Sequence, residues 1–247
     1  MAVPRGRQDS GHQVSHVLDF ERFDALTFDC YGTLIDWETG ILTALRALLA
    51  DAPSLPSDRH LLEEYARFEA AAEGEPFRPY RSVLADVAGR FASALGIELL
   101  PGAAARFAAS VGAWPPFPDA PAALGVLAGR YRLAVVSNVD DDLFAQSAVR
   151  LGVEWAEVVT AEQVGSYKPA RAHFDEVRRR LGVPTECILH VAQSLFHDIA
   201  PAKSLGFTCV WVDRRGGRDG TGATPPARAT PDLEVPDLAS LVAAAGL

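Results

Sequence analysis

Phe23-Asp24-Ala25-Leu26-Thr27-Phe28-Asp29-Cys30-Tyr31-Gly32-Thr33 is the stretch on which the reading of this chain turns. It is short and largely apolar, reaches a carboxylate at Asp29, and breaks at a turn-like segment where Gly32 permits tight bending. A buried strand that delivers Asp29 to the mouth of a loop is the expected structure.

Downstream, from about Trp37 to Ala113, the apolar residues recur at spacings of three and four. Ile41, Leu42, Leu45, Leu48 and Leu49 form one such run, Leu61, Leu62, Tyr65 and Phe68 a second, and Val83, Leu84, Val87 and Phe91 a third. Breaks at Pro53–Ser57, Gly74–Pro79 and Gly96–Gly102 divide this region into about four helices. Trp114-Pro115-Pro116-Phe117-Pro118 cannot continue a helix and closes the insert.

The remaining chain alternates. Helices are expected at Ala120–Gly129, about Asp141–Leu151, about Ala172–Leu181, about His197–Leu205 and Asp237–Ala245. Strands are expected at Leu133–Ser137, near Val158–Val159, at Cys187–Val191 and at Thr208–Val212, with a long loop at Arg214–Pro231. Short apolar strands alternating with helices imply a parallel sheet covered on both faces, an α/β fold. The expected division is a mobile tail at 1–18, an α/β core from 19–36 and 115–247, and a helical cap from 37–114 inserted after the first strand.

Composition narrows the function. The 247 residues are 49% hydrophobic and carry a net charge of −9, enough for a packed core and unsuited to a general nucleic-acid binder. Cys30, Cys187 and Cys209 are scattered, so neither a disulfide framework nor a paired-cysteine metal site is expected. No apolar run reaches 18 residues, and Met1–Ser15 is polar, with Arg5 and Arg7. A cytoplasmic protein that handles a small molecule, with no membrane or nucleic-acid partner, is the expectation.

In open α/β sheets ligands bind at the carboxyl ends of the strands. That rule selects Asp29–Thr33, Ser137-Asn138, Lys168 and Gln193–Asp198. These four segments hold two carboxylates, a hydroxyl–amide pair and a cation. In that order they resemble the four motifs of the haloacid dehalogenase (HAD) superfamily: Phe28-Asp29-Cys30-Tyr31-Gly32-Thr33-Leu34, Ser137, Lys168 in Ser166-Tyr167-Lys168-Pro169, and Gln193-Ser194-Leu195-Phe196-His197-Asp198. The resemblance implies a Rossmann-like parallel-sheet core with a helical cap after the first strand. It also implies that Asp29 is a nucleophile forming a covalent ester with substrate.

Tyr31 separates the branches. Superfamily phosphatases carry a second aspartate there, which protonates the departing alkoxide. A halide is a weak base and needs no such acid. Asp-x-Tyr-Gly-Thr is similar to the L-2-haloacid dehalogenase branch, which implies hydrolysis of short 2-haloalkanoic acids to 2-hydroxy acids. On that resemblance Asp29, Thr33, Ser137, Lys168 and Asp198 are the catalytic candidates. Tyr31, Asn138, Gln193, Ser194, Phe196 and His197 are the substrate-binding candidates. Thr33 is expected to bond the Asp29 carboxylate or the loop backbone, and Asn138 to help hold the halide. Asp198 is expected to orient or activate water, with His197 as an alternative base, and Phe196 to wall the halide.

Two departures stand against the template. Gln193 replaces the acidic residue that helps phosphatases bind Mg²⁺. The dehalogenase branch grips its substrate with a cap arginine, and near that position this chain has Glu63 or Glu64, leaving Arg67, Arg78 and Arg81 as substitutes and Tyr80 as a candidate at the entrance. No cofactor is expected for dehalogenation, and Mg²⁺ is expected if the protein is instead a small-metabolite phosphatase. A non-catalytic binding module on the same fold is the third alternative. A homodimer is implied by the resemblance alone.

Overall fold

The computed structural model describes residues 18–247 apart from 75 and 221. The tail expected at 1–18 lies, but for Leu18, outside the described residues.

The first strand, β1 (Ala25–Phe28), is buried along its whole length. Full burial of a side chain such as Leu26 or Phe28 contributes about 1.5–3 kcal/mol, which is why so short a segment holds the centre of the sheet. Four helices follow it: α1 (Trp37–Leu48), α2 (Asp58–Ala72), α3 (Tyr80–Leu95) and α4 (Ala103–Ala109). Asp36 caps α1 by accepting from the Thr39 amide, and Ser57 caps α2 by accepting from that of His60. Gly40 of α1 lies against the Trp114 ring, where a Cβ would overlap the indole. Only a glycine lets the helix approach the closing tryptophan this closely.

The chain then runs through α5 (Ala120–Ala128), β2 (Arg132–Ser137), α6 (Asp141–Leu151), β3 (Glu157–Thr160), α7 (Ala161–Val164), α8 (Ala172–Leu181) and β4 (Ile188–Ala192). It closes with α9 (Ala200–Ser204), β5 (Thr208–Val212), β6 (Leu233–Val235) and α10 (Leu238–Ala244). The strands form one sheet in the order β3-β2-β1-β4-β5-β6, with every neighbouring pair parallel. One apolar cluster joins β1, α5, α6 and α10 to the inserted helices. A second packs α8 and α9, through Phe174, Val177, Leu181 and Ala202, against the other face.

Three elements differ from expectation. β6 was hidden because Leu233-Glu234-Val235 is three residues long, follows a proline-rich loop, and becomes a strand only by pairing with β5. α7 is a four-residue helix set by its Thr160 cap. The helix expected from about His197 begins earlier, as a π turn over Leu195–Ile199 that Ser194 caps, and continues as α9.

Two buried contacts tie the insert and the carboxyl-terminal loop to the strand ends. Asp140, beyond β2, accepts from the Tyr80 and Arg81 amides at 2.7 and 3.0 Å, satisfying exposed donors at the start of α3. Arg214, beyond β5, donates to the Thr33 carbonyl at 2.9 and 3.1 Å and to Asp119 at 2.8 Å. Arg214 therefore holds the loop after β1, and Asp140 holds the start of α3.

Candidate active site

Asp29 is the first residue past β1, and Ser137 is the last of β2. Gln193 and Ser194 follow β4, and Asp198 lies in the π turn beyond them. Because Phe28 pairs with Val135 on one side and Val191 on the other, these ends share one edge of the sheet. Lys168 reaches the same place from the connection between α7 and α8, through a cis peptide to Pro169.

The centre is a buried row of charges. Lys168 Nζ donates to Asp29 Oδ1 at 2.8 Å, to Asp198 Oδ1 at 2.7 Å and to the Val136 carbonyl at 3.0 Å, filling its three donor positions. The Lys168 side chain is 1% exposed. Burial works to neutralise the ammonium, but the attraction of Asp198 and Asp29 outweighs it and moves its pKa up. Burial dominates at Asp29 and raises its carboxyl above the usual range, with Lys168 opposing. At Asp198 burial is opposed more strongly, by Lys168 and by a hydrogen bond from His190, and the carboxyl is held down to about 2.

Thr33 Oγ1 donates to Asp29 Oδ2 at 2.6 Å and accepts from the Gln193 amide at 2.9 Å, so it bonds the carboxylate as expected and locks two loops together. Gly32, with φ +92°, makes the turn between Asp29 and Thr33, and a Cβ there would meet the Trp37 indole at 2.9 Å. The Asn138 side chain accepts from the Lys168 amide at 2.7 Å and donates to its carbonyl at 3.1 Å, fixing the backbone that carries the ammonium. One Nδ2 proton of Asn138 is left over. At this centre two buried side-chain oxygens, Ser137 Oγ and Asp198 Oδ2, lack partners among the described residues.

Tyr31 packs edge-on against Trp114 and shares a 3.0 Å hydrogen bond with Ser147. Burial pushes its phenol well above the usual value, which makes it a poor proton donor. His197 bonds Ser194 Oγ through Nδ1 at 3.1 Å, and burial lowers its pKa to about 4, leaving the ring neutral near pH 7.

A small cavity opens over this centre. Asp29, Tyr31, Ser137, Asn138, Lys168, Gln193, Ser194, His197 and Asp198 all line it. Thr33 stands behind Asp29, and Phe196 does not line the cavity but stacks edge-on against His197. The side chains that close it from the insert are Trp37, Glu69, Glu73 and Tyr80. Tyr80, expected at the entrance, lines the cavity as a buried side chain. Arg67, Arg78 and Arg81 are elsewhere, paired with Glu64, with Asp86, and with Asp140 and Asp142 respectively.

Sequence reasoning missed Glu69, Glu73 and His190. His190 lies in β4 between Thr27 and Asp198 and carries the strand interior into the charge row. Glu69 had a signal: it falls four residues after Tyr65 and three before Ala72, on the buried stripe of α2. Its Oε1 accepts from Tyr80 at 2.5 Å and from Tyr65 at 2.9 Å.

Burial pushes the Glu69 carboxyl up to about 7, with the two tyrosine bonds opposing. In the folded state it therefore holds a proton that the unfolded chain, near 4.5, would release. Its contribution to stability is full below about pH 4.5 and is lost as pH rises through 7, an effect of about 2–4 kcal/mol. The neutral buried His173 and His197, both lowered, work in the opposite direction at lower pH. Urea midpoints for wild type and Glu69→Gln are accordingly expected to converge as pH rises from 5 to 8 if the glutamine is the less stable at pH 5. A constant difference between them would contradict this assignment.

A parallel α/β sheet with a helical insert and a buried carboxylate–ammonium–carboxylate row at its strand ends defines the class. The family model for haloacid dehalogenase-like hydrolases matches residues 23–206, and the chain belongs to that family. It is 25% identical over 230 residues to haloacetate dehalogenase H-2 of Moraxella sp. (strain B), covering 90% of this chain and 97% of that protein. It is 34% identical over 101 residues to glyceraldehyde 3-phosphate phosphatase of Methanothermobacter thermautotrophicus, covering 40% of this chain and 45% of that protein. In fold it is similar to the L-2-haloacid dehalogenase of Xanthobacter autotrophicus with chloropropionic acid covalently bound. The TM-score is 0.74 at 23% identity, over 90% of this chain and 97% of the other. No helix among the described residues is long and apolar enough to cross a membrane.

Proposed function

We propose that the protein hydrolyses the carbon–halogen bond of short 2-haloalkanoyl compounds, the class that contains the 2-haloalkanoic acids, through an ester on Asp29. The observation that carries this reading is the pairing of a buried Asp29, held by Lys168 and Thr33, with a tyrosine two positions on. Asp29 attacks the carbon bearing halogen, a C–O bond forms, and the C–X bond breaks with its electron pair leaving on halide. A desolvated carboxylate held in line is a competent nucleophile. The departing halide needs no proton, so the high pKa of Tyr31 is no handicap. The spare Nδ2 proton of Asn138 and the Ser137 hydroxyl are the donors available to the halide.

Water then attacks the ester carbonyl and returns Asp29 as a carboxylate, releasing the 2-hydroxy product. The unpartnered Oδ2 of Asp198 suits a water-orienting role; a carboxyl held down to about 2 is too weak a base to remove a proton early. Neutral His197 is the nearby group able to accept one. Only the first step touches the stereocentre, so the product has inverted configuration. The proposal includes the division into a core from 19–36 and 115–247 and a cap from 37–114 that closes the cavity.

The partial likeness to a phosphatase favours a second reading, Mg²⁺-dependent phosphoryl transfer to Asp29. The residues present do not suit that ion. Between Asp29 and Asp198 stands the Lys168 ammonium, and Gln193 brings an amide where a carboxylate would serve. Among the described residues no three His, Cys, Asp or Glu side chains are grouped to hold a metal. The test is halide release from a panel of 2-halo compounds with Mg²⁺ and with chelator. Equal rates in both are expected; release of phosphate from small phosphate esters that stops with chelator would overturn the dehalogenation reading.

A further inference from the structure

The cavity's ionisable lining is unbalanced. Asp29, Asp198, Glu69 and Glu73 contribute four carboxyl groups, and Lys168 is the single cationic residue among its described lining. All three Lys168 donor positions are already used by Asp29, Asp198 and the Val136 carbonyl. Nothing cationic remains for the group that a substrate carries beside its reacting carbon.

Glu69 and Glu73 are one turn apart on α2, with Glu73 at its carboxyl-terminal cap. Ionised together, the two would repel at this spacing, and a negative charge at that helix end would oppose the helix dipole. The last turn of α2 holds no basic residue to offset either effect. Glu69 is held by Tyr65 and Tyr80, whereas the Glu73 carboxylate makes no hydrogen bond among the described residues. Burial raises the pKa of both groups; at Glu73 the charge of Glu69 adds to the rise and Lys168 opposes it without cancelling it. On the core side of the same cavity, Ser137 Oγ and Asp198 Oδ2 are buried with no partner among the described residues, so the cavity has open polar valences at both ends.

We propose that Glu69 and Glu73 receive an N–H donor on the substrate, a carboxamide or an ammonium next to the halogen-bearing carbon, in place of a carboxylate. A carboxylate would add a fifth acidic group to a cavity whose one ammonium is committed. An N–H donor gives the Glu73 carboxyl group the partner it lacks, and a cationic donor favours its ionised form. The choice of reacting carbon rests on the dehalogenation reading; the choice of neighbouring group rests on the two glutamates.

The test uses the full chain and three unreactive probes of one carbon skeleton, propionamide, propylammonium and propionate, titrated by calorimetry. Halide release from 2-chloropropanamide and 2-chloropropanoate is measured in parallel, with Asp29→Asn as the blank for uncatalysed alkylation. Wild type is expected to bind one N–H probe at least about tenfold more tightly than propionate, since a site made to pair a donor rejects an analogue without it. Propionamide against propylammonium tells a neutral donor from a charged one. Glu73→Gln is expected to erase that preference, with the loss for 2-chloropropanamide falling on KM more than on kcat. Propionate binding as tightly as both N–H probes, no measurable binding of either N–H probe, or a preference that survives in Glu73→Gln would each overturn the proposal. Halide from neither chloro compound, with the N–H preference intact, would remove the dehalogenation reading and leave this inference standing. Halide from 2-chloropropanoate with tighter propionate binding would do the reverse.

Discussion

Replacing Asp29 by asparagine is expected to lower halide release by at least roughly 10⁴-fold, the scale on which removal of a covalent nucleophile acts. Asparagine is nearly isosteric, keeps one acceptor for Lys168 and can turn its NH2 toward Thr33 Oγ1 as a donor, so the variant should fold with an unchanged near-ultraviolet spectrum. The loss would then be chemical. A single turnover in heavy-oxygen water sharpens the result. Through the ester, the heavy atom enters the Asp29 carboxylate first, because water attacks the ester carbonyl. Direct attack of water on substrate would put it in the product and leave the Asp29 peptide unlabelled. Full activity in the asparagine variant, or label in the product alone after one turnover, would sink the mechanism.

Lys168→Met is expected to be the most destabilising change at the site. Removal of the ammonium leaves Asp29 and Asp198 facing each other with side-chain exposures of 9% and 1%. Breaking a buried ion pair by deleting one partner costs about 3–5 kcal/mol. One of the two carboxyl groups should respond by taking up a proton, so its folded pKa rises above the unfolded value. That residual stability is present at low pH and lost as pH rises. The urea midpoint of Lys168→Met should thus lie well below wild type at pH 8 and recover part of the gap at pH 5. Adding Asp198→Asn to Lys168→Met removes one of the uncompensated charges and should restore stability at pH 8 without restoring turnover. A midpoint within experimental error of wild type at pH 8 would mean that the charge row is not the electrostatic unit described here.

The same row explains why some of the site was legible and some was not. Asp29, Ser137, Lys168 and Asp198 each stand at or beyond the end of a strand whose apolar run is visible in the sequence. The rule that ligands meet at carboxyl ends of parallel strands finds them without coordinates. Tyr31 was legible for a chemical reason, since the residue two positions past the carboxylate decides whether a poor leaving group can be protonated. His190 was not legible, because it lies within an apolar strand and acquires meaning only through the 3.2 Å approach of Asp198 from the following turn.

The insert is less legible. A substrate carboxylate would need an arginine there, and the sequence offers Arg67, Arg78 and Arg81. Each instead finds a carboxylate at the surface or on the core, where solvent remains available to the guanidinium. The helix stripe that buries Tyr65 and Phe68 turns Glu69 inward, and the end of that helix brings Glu73 to the same cavity. Periodicity indicates which face of a helix is buried. It does not say whether the surface met there is another apolar layer or a cavity.

By itself, then, the sequence determined the order of the first five strands and the longer helices, the helical insert, the strand-end position of the principal polar groups and the absence of an acid two residues past Asp29. These follow from local periodicity, turn chemistry and residue type, all of which are written along the chain. The tertiary structure alone decided that one ammonium bridges two carboxylates, that Asn138 clamps the Lys168 backbone, and that glutamates close the cavity. Each of those depends on where separate elements meet. Lys168 and Asp29 are 139 residues apart, yet 2.8 Å separates their charged atoms, a closeness created by the packing of the sheet and its connections.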